Sequence, residues 1–245
     1  MPTFLHGKNS RILLANSTAN TNYDISQFFN DVSVNRAIET PETTTFQNNG
    51  NKTYIVGLKD GNISLSGFYE GTSNGLDAIL TEAISSDTDD GAIVFPDGGT
   101  AENSRCLMAR VLEASYDLKS PVGGVVDAST QLSCDGGVWL GKGIFKTVTT
   151  NYNSTSLDNS AASTNGGLVI LGCTSLTGTS PSVTLEFQHS ADNSSWVSFS
   201  PAVSVTGVGT TVQVLTDTIY RYTRLSVTVS GTSPSAVIYF GFARY

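Results

Sequence analysis

Charge is what this sequence has least of. Only 14% of its 245 residues are Asp, Glu, Lys or Arg, and 13 basic residues face 21 acidic ones. A surface that grips nucleic-acid phosphates needs a basic patch, so the acidic balance argues against that class. Histidine is limited to His6 and His189. The three cysteines, Cys106, Cys134 and Cys173, form no C-x-x-C pair, and with the two histidines they offer no workable metal-ligand spacing. With no secretory leader in view, an odd cysteine count points to folding in a reducing cytoplasm. Long apolar runs are also missing: Ile12-Leu13-Leu14-Ala15 is far too short for a signal core or a membrane span.

Residues that favour strands and turns are abundant. Hydrophobic residues make up 39% of the chain, enough for a core. The β-branched and aromatic ones come in short runs separated by Gly, Asn or Asp, which reads as all-β. The net charge of −8 is uneven: residues 1–150 carry ten Lys/Arg against seventeen Asp/Glu, and residues 151–245 carry three against four. Solubility alone explains such an excess, and a surface past which DNA slides without sticking would use it too.

The chain is organised around Val32–Tyr69. Val32 and Val34 alternate with polar residues as a strand with one buried face. Thr53–Val56 reads as a second strand, and Ile63, Leu65 and Gly67 mark a third. Gly57 and Lys59–Asn62 read as the turn between the last two. Between the first two lies Arg36–Lys52, polar and threonine-rich, against about 2–5 residues for an ordinary hairpin loop. Thr43, Thr44, Thr45 and Phe46 favour extended structure, so an arm that pairs outside its own domain is expected.

Elsewhere Ile12–Ala15 reads as a first strand, and Tyr23–Phe29 as loop or short helix. One helix is expected where Leu76, Ile79, Leu80, Ala83 and Ile84 form a stripe, capped by Ser73 or Asn74. An acidic loop, Ser85–Gly91, follows. Strands are expected at Ala92–Phe95, Arg105–Asp117, Val125–Cys134 and Val138–Phe145, with a turn at Asp135-Gly136-Gly137. In the third of these, Val126, Ala128, Leu132 and Cys134 share a face. In Arg105–Asp117 the face of Cys106, Met108, Leu112, Ala114 and Tyr116 is interrupted by Arg110. Polar residues 151–166 read as a linker between a domain at 1–150 and one at 167–245. The second contains six runs: Leu168–Cys173, Val183–His189, Trp196–Ser200, Thr210–Leu215, Ile219–Val229 and Ala236–Ala243. They suit a small β-sandwich, with Gly231–Pro234 as a turn.

Three motifs hint at chemistry and each has a plainer reading. Gly71–Gly75 matches G-x-S-x-G, but a nucleophile elbow needs a histidine and a βαβ context; a helix cap at Ser73 explains it. Gly136–Gly143 falls one residue short of a P-loop and runs into a strand rather than a helix. Asp87–Gly91 resembles a calcium loop but lacks the glycine at the sixth place and the glutamate at the twelfth. Trp139, Trp196, Tyr220 and Tyr222 could stack on sugars, although aromatics at strand spacing more often fill a core. No enzyme, cofactor or metal is expected.

The strand and arm "VSVNRAIETPETTTF" followed by "KTYIVGLKDGNISLSGFYEG" resembles the major tail tube proteins of long-tailed (siphovirus-like) bacteriophages, over about the first 150 residues. "FQHSADNSSWVSF" and "VIYFGFARY" resemble β-sandwich domains added to phage structural proteins. The resemblance implies an all-β fold with one flanking helix: a tail-tube-type β-sandwich followed by a C-terminal β-sandwich decoration domain. It implies a virion protein whose partner is itself, as hexameric rings stacked into a tube, with other tail proteins at the tube ends. DNA would pass through the lumen without specific binding, and no membrane is involved. The inter-ring arm would comprise Arg36, Glu39, Thr43, Thr44, Thr45, Phe46, Asn49 and Lys52. Other readings are a capsid-surface or head–tail joining protein, or a carbohydrate-binding adhesin.

Overall fold

A computed structural model describes residues 6–46, 49–72, 75–84 and 90–245, the side chains of 83 and 84 excepted. After a single 3-10 turn at Gly7–Asn9 come β1 (Arg11–Asn16), β2 (Thr21–Asp24), β3 (Phe29–Ile38) and β4 (Lys59–Phe68). The helix α1 (Leu76–Ile84) precedes β5 (Asp90–Phe95), β6 (Ser104–Lys119) and β7 (Asp127–Val148). The rest is β8 (Tyr152–Asn153), β9 (Leu157–Asp158), β10 (Gly167–Ser190), β11 (Val197–Ser198), β12 (Ser204–Thr206), β13 (Gly209–Leu215) and β14 (Tyr222–Arg244). The fold is all-β with one helix, as the composition implies, and all the strands hydrogen-bond into one continuous antiparallel sheet.

That sheet bends over itself, and three apolar cores lie between its layers. The first sits under α1, where Leu76, Ile79 and Leu80 meet Ile12, Leu14, Ile63, Leu65 and Leu132. The second gathers Val169, Leu171, Val183, Phe187, Leu225 and Phe240 in the C-terminal half. The third joins Leu13, Ile93, Phe95 and Met108 to Leu168, Ile170 and Tyr239. Successive side chains of a strand point to opposite faces. Thus Ile12 and Leu14 enter the first core, while Leu13 and Ala15 enter the third. The unbroken runs Ile12–Ala15, Ala92–Phe95 and Leu168–Leu171 therefore mark strands covered on both sides. The third core also buries a phenol: Tyr239 Oη bonds Thr210 Oγ1 at 2.6 Å, and that hydroxyl donates to the Leu171 carbonyl at 3.0 Å.

Several expected turns lie inside strands. Residues 168–173 and 183–189 are parts of β10, a strand of 24 residues paired along its length with β14. Gly231–Pro234 is a corner in β14, not a reversal. Gly178 (φ +130°) and Gly231 (φ +111°) sit there with Ser180 and Ser233, both in the left-handed region. A Cβ at Gly231 would lie 2.6 Å from the Ser180 carbonyl oxygen. The ribbon folds at this corner, which brings Phe187 to 5.1 Å from Phe242, ring centre to ring centre. The C-terminal sandwich is thus one hairpin folded on itself. Trp196–Ser200 shrinks to β11, and Thr210–Leu215 becomes β13.

Asp135-Gly136-Gly137 is likewise a bulge within β7: Met108 pairs with Trp139 and Arg110 with Asp135, so residues 136–138 loop out. Register shifts beside residues 109 and 114 also break the single face expected of β6. Met108 enters the third core, Val111 the first, and Leu112 is exposed. Tyr23–Phe29 is neither loop nor helix throughout, since it holds the end of β2 and the start of β3. Residues 151–166 run beside β14, held by β8, β9, a Ser163–Ile219 bridge and a bidentate Arg221–Asp158 pair at 2.7 and 2.8 Å. Ser73, Asn74 and most of the Ser85–Gly91 loop fall outside the described residues.

Candidate assembly surface

The excursion after Val34 is a ribbon that closes on itself. β3 runs on through Arg36 to Ile38, and Lys59–Asn62, expected as a turn, pair with them as the start of β4. Beyond the sheet the two limbs continue to bond. Glu39 N donates to the Leu58 carbonyl at 2.9 Å, Gly57 N to Glu39 at 2.7 Å, Ile55 N to Pro41 at 3.1 Å and Thr43 N to Thr53 at 2.8 Å. Thr53–Val56 is therefore the return limb of the arm and not an interior strand.

The expected arm residues hold this ribbon. Arg36 lies in β3 opposite Gly61. Glu39 closes the base through its backbone. The Thr43 and Thr53 hydroxyls meet at 3.2 Å, and Thr44 Oγ1 accepts the Thr53 N–H at 3.1 Å. Lys52 Nζ donates to Glu42 at 2.8 Å, which with Thr44 holds that carboxyl below its usual range. Asn49 (φ +49°) and Gly50 turn the tip, and Thr45 and Phe46 stand in solvent beside it. Gln47 and Asn48 are outside the described residues.

Sequence reasoning missed the other half of the surface. Val56 is 80% exposed and Leu58 74%, with Ile38, Tyr54 and Ile55 about half exposed. Tyr54 and Val56 point to one face with Glu42; Ile55 points to the other with Pro41. The available signal was the adjacency of apolar residues over Tyr54-Ile55-Val56, without the alternation of a half-buried strand.

Below the arm, β3, β4, residues 127–135 of β7 and residues 111–119 of β6 form four antiparallel strands. One face packs on the first core. The other carries Ser33, Ser64, Ser66, Ser129, Gln131 and Ser133, with Asp31, Asp117 and Asp127 against Lys119, and Arg110 paired to Asp135. Among the described residues both edges are open, because β3 pairs only with β4, and the pairing of β5 with β6 ends at Val111.

Among the described residues the other motifs assemble no site. Ser73 and Asp87 are outside the described residues. His189 is buried in the other half, stacked on Tyr220 at 4.3 Å, and burial lowers its pKa. Gly136–Gly143 belongs to the bulged strand. Trp139 stacks on Tyr245 at 4.1 Å with Lys59 Nζ 4.0 Å from its ring, and Arg224 covers Trp196 at 4.2 Å, so these aromatics form no shared platform. Among the described residues no cluster of three or more His, Cys, Asp or Glu is placed to hold a metal. No helix of the described chain is long and apolar enough to cross a membrane.

A family model described as phage tail tube protein matches residues 5–139, which contain the arm and all four strands of the open sheet. The chain belongs to that family. It is thus a structural protein of a phage tail. No curated protein matches it. Among solved structures it is similar to a chain in the tail of an empty gene transfer agent particle, at 15% identity and TM-score 0.45, covering 54% of this chain and 96% of that one. A chain of the anti-feeding prophage baseplate gives 12% identity and TM-score 0.45, covering 57% and 95%. The Dit protein of phage SPP1 gives 11% identity and TM-score 0.38, covering 95% and 99%.

Proposed function

We propose that this tail tube family member polymerises as rings stacked into the tail tube, the conduit for DNA ejection. Six copies per ring is the number the tail tube resemblance implies. The observation that carries the reading is the four-stranded sheet with two open edges and one solvent face. Open edges invite pairing with another chain. An even number of antiparallel strands leaves β3 and β6 running in opposite senses. Under rotational symmetry the β3 edge of one copy then meets the β6 edge of the next as another antiparallel pair. A closed ring removes both edges and puts the serine-rich face toward the bore. Short neutral side chains with a slight acidic excess give DNA phosphates nothing to bind.

The arm links successive rings. Fully burying a Val, Leu, Ile or Phe side chain gains about 1.5–3 kcal/mol. Ordering a side chain at an interface costs about 0.5–1.5 kcal/mol. The wet apolar residues of the arm therefore favour a covered state. Residues 167–245 form the outer part, joined through 151–166 to the tube part at 1–150. Assembly takes place in the host cytoplasm, other tail proteins close the tube ends, and no catalytic role is assigned.

Negative-stain micrographs of the concentrated protein test the reading. Long hollow tubes, or rings of one diameter, support it; monodisperse single particles at every concentration contradict it.

A further inference from the structure

Among the described residues, the end of the molecule opposite the arm also leaves apolar side chains exposed. β3 spans ten residues, so its Phe29 and Ile38 ends lie about 30 Å apart. At the Phe29 end a cavity of about 470 Å³ is lined by Gln27, Phe28, Phe68, Tyr69, Glu70 and Thr72. Phe68 is 48% exposed and Tyr69 38%. The backbone binds this floor firmly: Phe68 N donates to Phe28 at 3.0 Å and Tyr69 N to Val126 at 2.9 Å. Gln27 also lines a second, polar cavity of about 640 Å³, with Lys8, Arg11, Asp24 and Asp97. Gln27 is thus a wall common to both: the first is an aromatic cleft, and the cavity beside it is of mixed charge.

We propose that this cleft receives the arm of a second copy of the same chain. The inference rests on the stacking reading and names the surface that the arm meets. Three observations select this occupant. The arm exposes Phe46, Tyr54, Val56 and Leu58, and the groove exposes Phe68 and Tyr69, so each covers what the other leaves wet. The two surfaces lie at opposite ends of one sheet, so their contact is head-to-tail and repeats without closing. The arm's threonines and its Glu42–Lys52 pair are polar enough to lie along the mixed-charge cavity beside the aromatic floor.

Cross-linking tests it cleanly because Cys106, Cys134 and Cys173 are all buried. Val56→Cys and Thr72→Cys are made separately, mixed, and treated with a short bismaleimide. Dimers in the mixture and in neither variant alone, with a ladder in the doubly substituted chain, support the proposal. Dimers of Val56→Cys alone show arm-to-arm contact and overturn it. Tubes in micrographs without any cross-link from this pair, or from Tyr54→Cys with Gln27→Cys, overturn the groove but leave the stack. Failure of the unmodified protein to form rings or tubes overturns the reading beneath. Independently, Phe68→Asp is expected to leave rings but shorten stacks at least tenfold; stacks of unchanged length overturn the groove.

Discussion

Two long antiparallel ribbons of this chain end in opposite situations. The β10–β14 ribbon folds at its glycine corner and packs Phe187 against Phe199, Phe240 and Phe242. The β3–β4 ribbon runs straight past the sheet and leaves Tyr54, Ile55, Val56 and Leu58 in water. In both, the two limbs hydrogen-bond to each other, so pairing between limbs does not separate them. What separates them is an internal corner. With residues that tolerate left-handed φ at mid-length, a ribbon can bury its own face; without them it must find a face elsewhere. A self-completed ribbon contributes to the monomer; on the stacking proposal, an uncompleted one contributes to the polymer.

The contrast is sharpest in substitutions of equal kind. Phe187→Ala removes a fully buried ring, and a loss of about 3–5 kcal/mol is expected in urea unfolding. A loss below 1 kcal/mol would mean that the folded ribbon is not the second core. Gly231→Val, at the corner, is expected to cost about 2 kcal/mol through its positive φ and the close Ser180 carbonyl. If its melting is unchanged, the corner is not what folds the ribbon.

A smaller effect sits under α1. Burial, and then the charge of Asp90, raises Glu113 to about 7, against the Thr130 hydroxyl bond that lowers it. Because the folded pKa is raised, this group's stabilisation is complete below about pH 4.5 and is lost as pH rises through 7. Glu113→Gln is expected to gain about 1 kcal/mol at pH 8, after discounting for its part exposure, and nothing at pH 4. Equal melting curves at both pH values would remove the electrostatic account. Smallest of all is the arm: Tyr54→Asp with Val56→Asp is expected to change monomer stability by less than about 0.5 kcal/mol.

The same comparison explains what the sequence disclosed. Doubly covered strands such as Ile12–Ala15 and the helix stripe Leu76–Leu80 were legible, the first from its run of aliphatic residues and the second from its 3.6-residue spacing. Corners were not: Gly231–Pro234 carries the punctuation of a turn, and only the partner strand decides whether the chain reverses or bends. That the chain leaves the sheet within residues 36–52 was legible from the length and threonines of that segment, but the strand partner expected outside the domain was not what the ribbon shows, since Thr43 and Thr44 pair with Thr53 of the same chain. The return limb was not legible, since a β-branched run reads as core until the structure shows nothing covering it.

On the stacking proposal the arm is complete only in company. Sedimentation of the Tyr54→Asp, Val56→Asp variant beside the unmodified chain, at a concentration where micrographs of the latter show tubes, tests this directly. Particles no larger than rings, with an unchanged melting temperature, are expected. Tubes equal to those of the unmodified chain, or a melting temperature lowered as far as that of Phe187→Ala, would contradict the proposal.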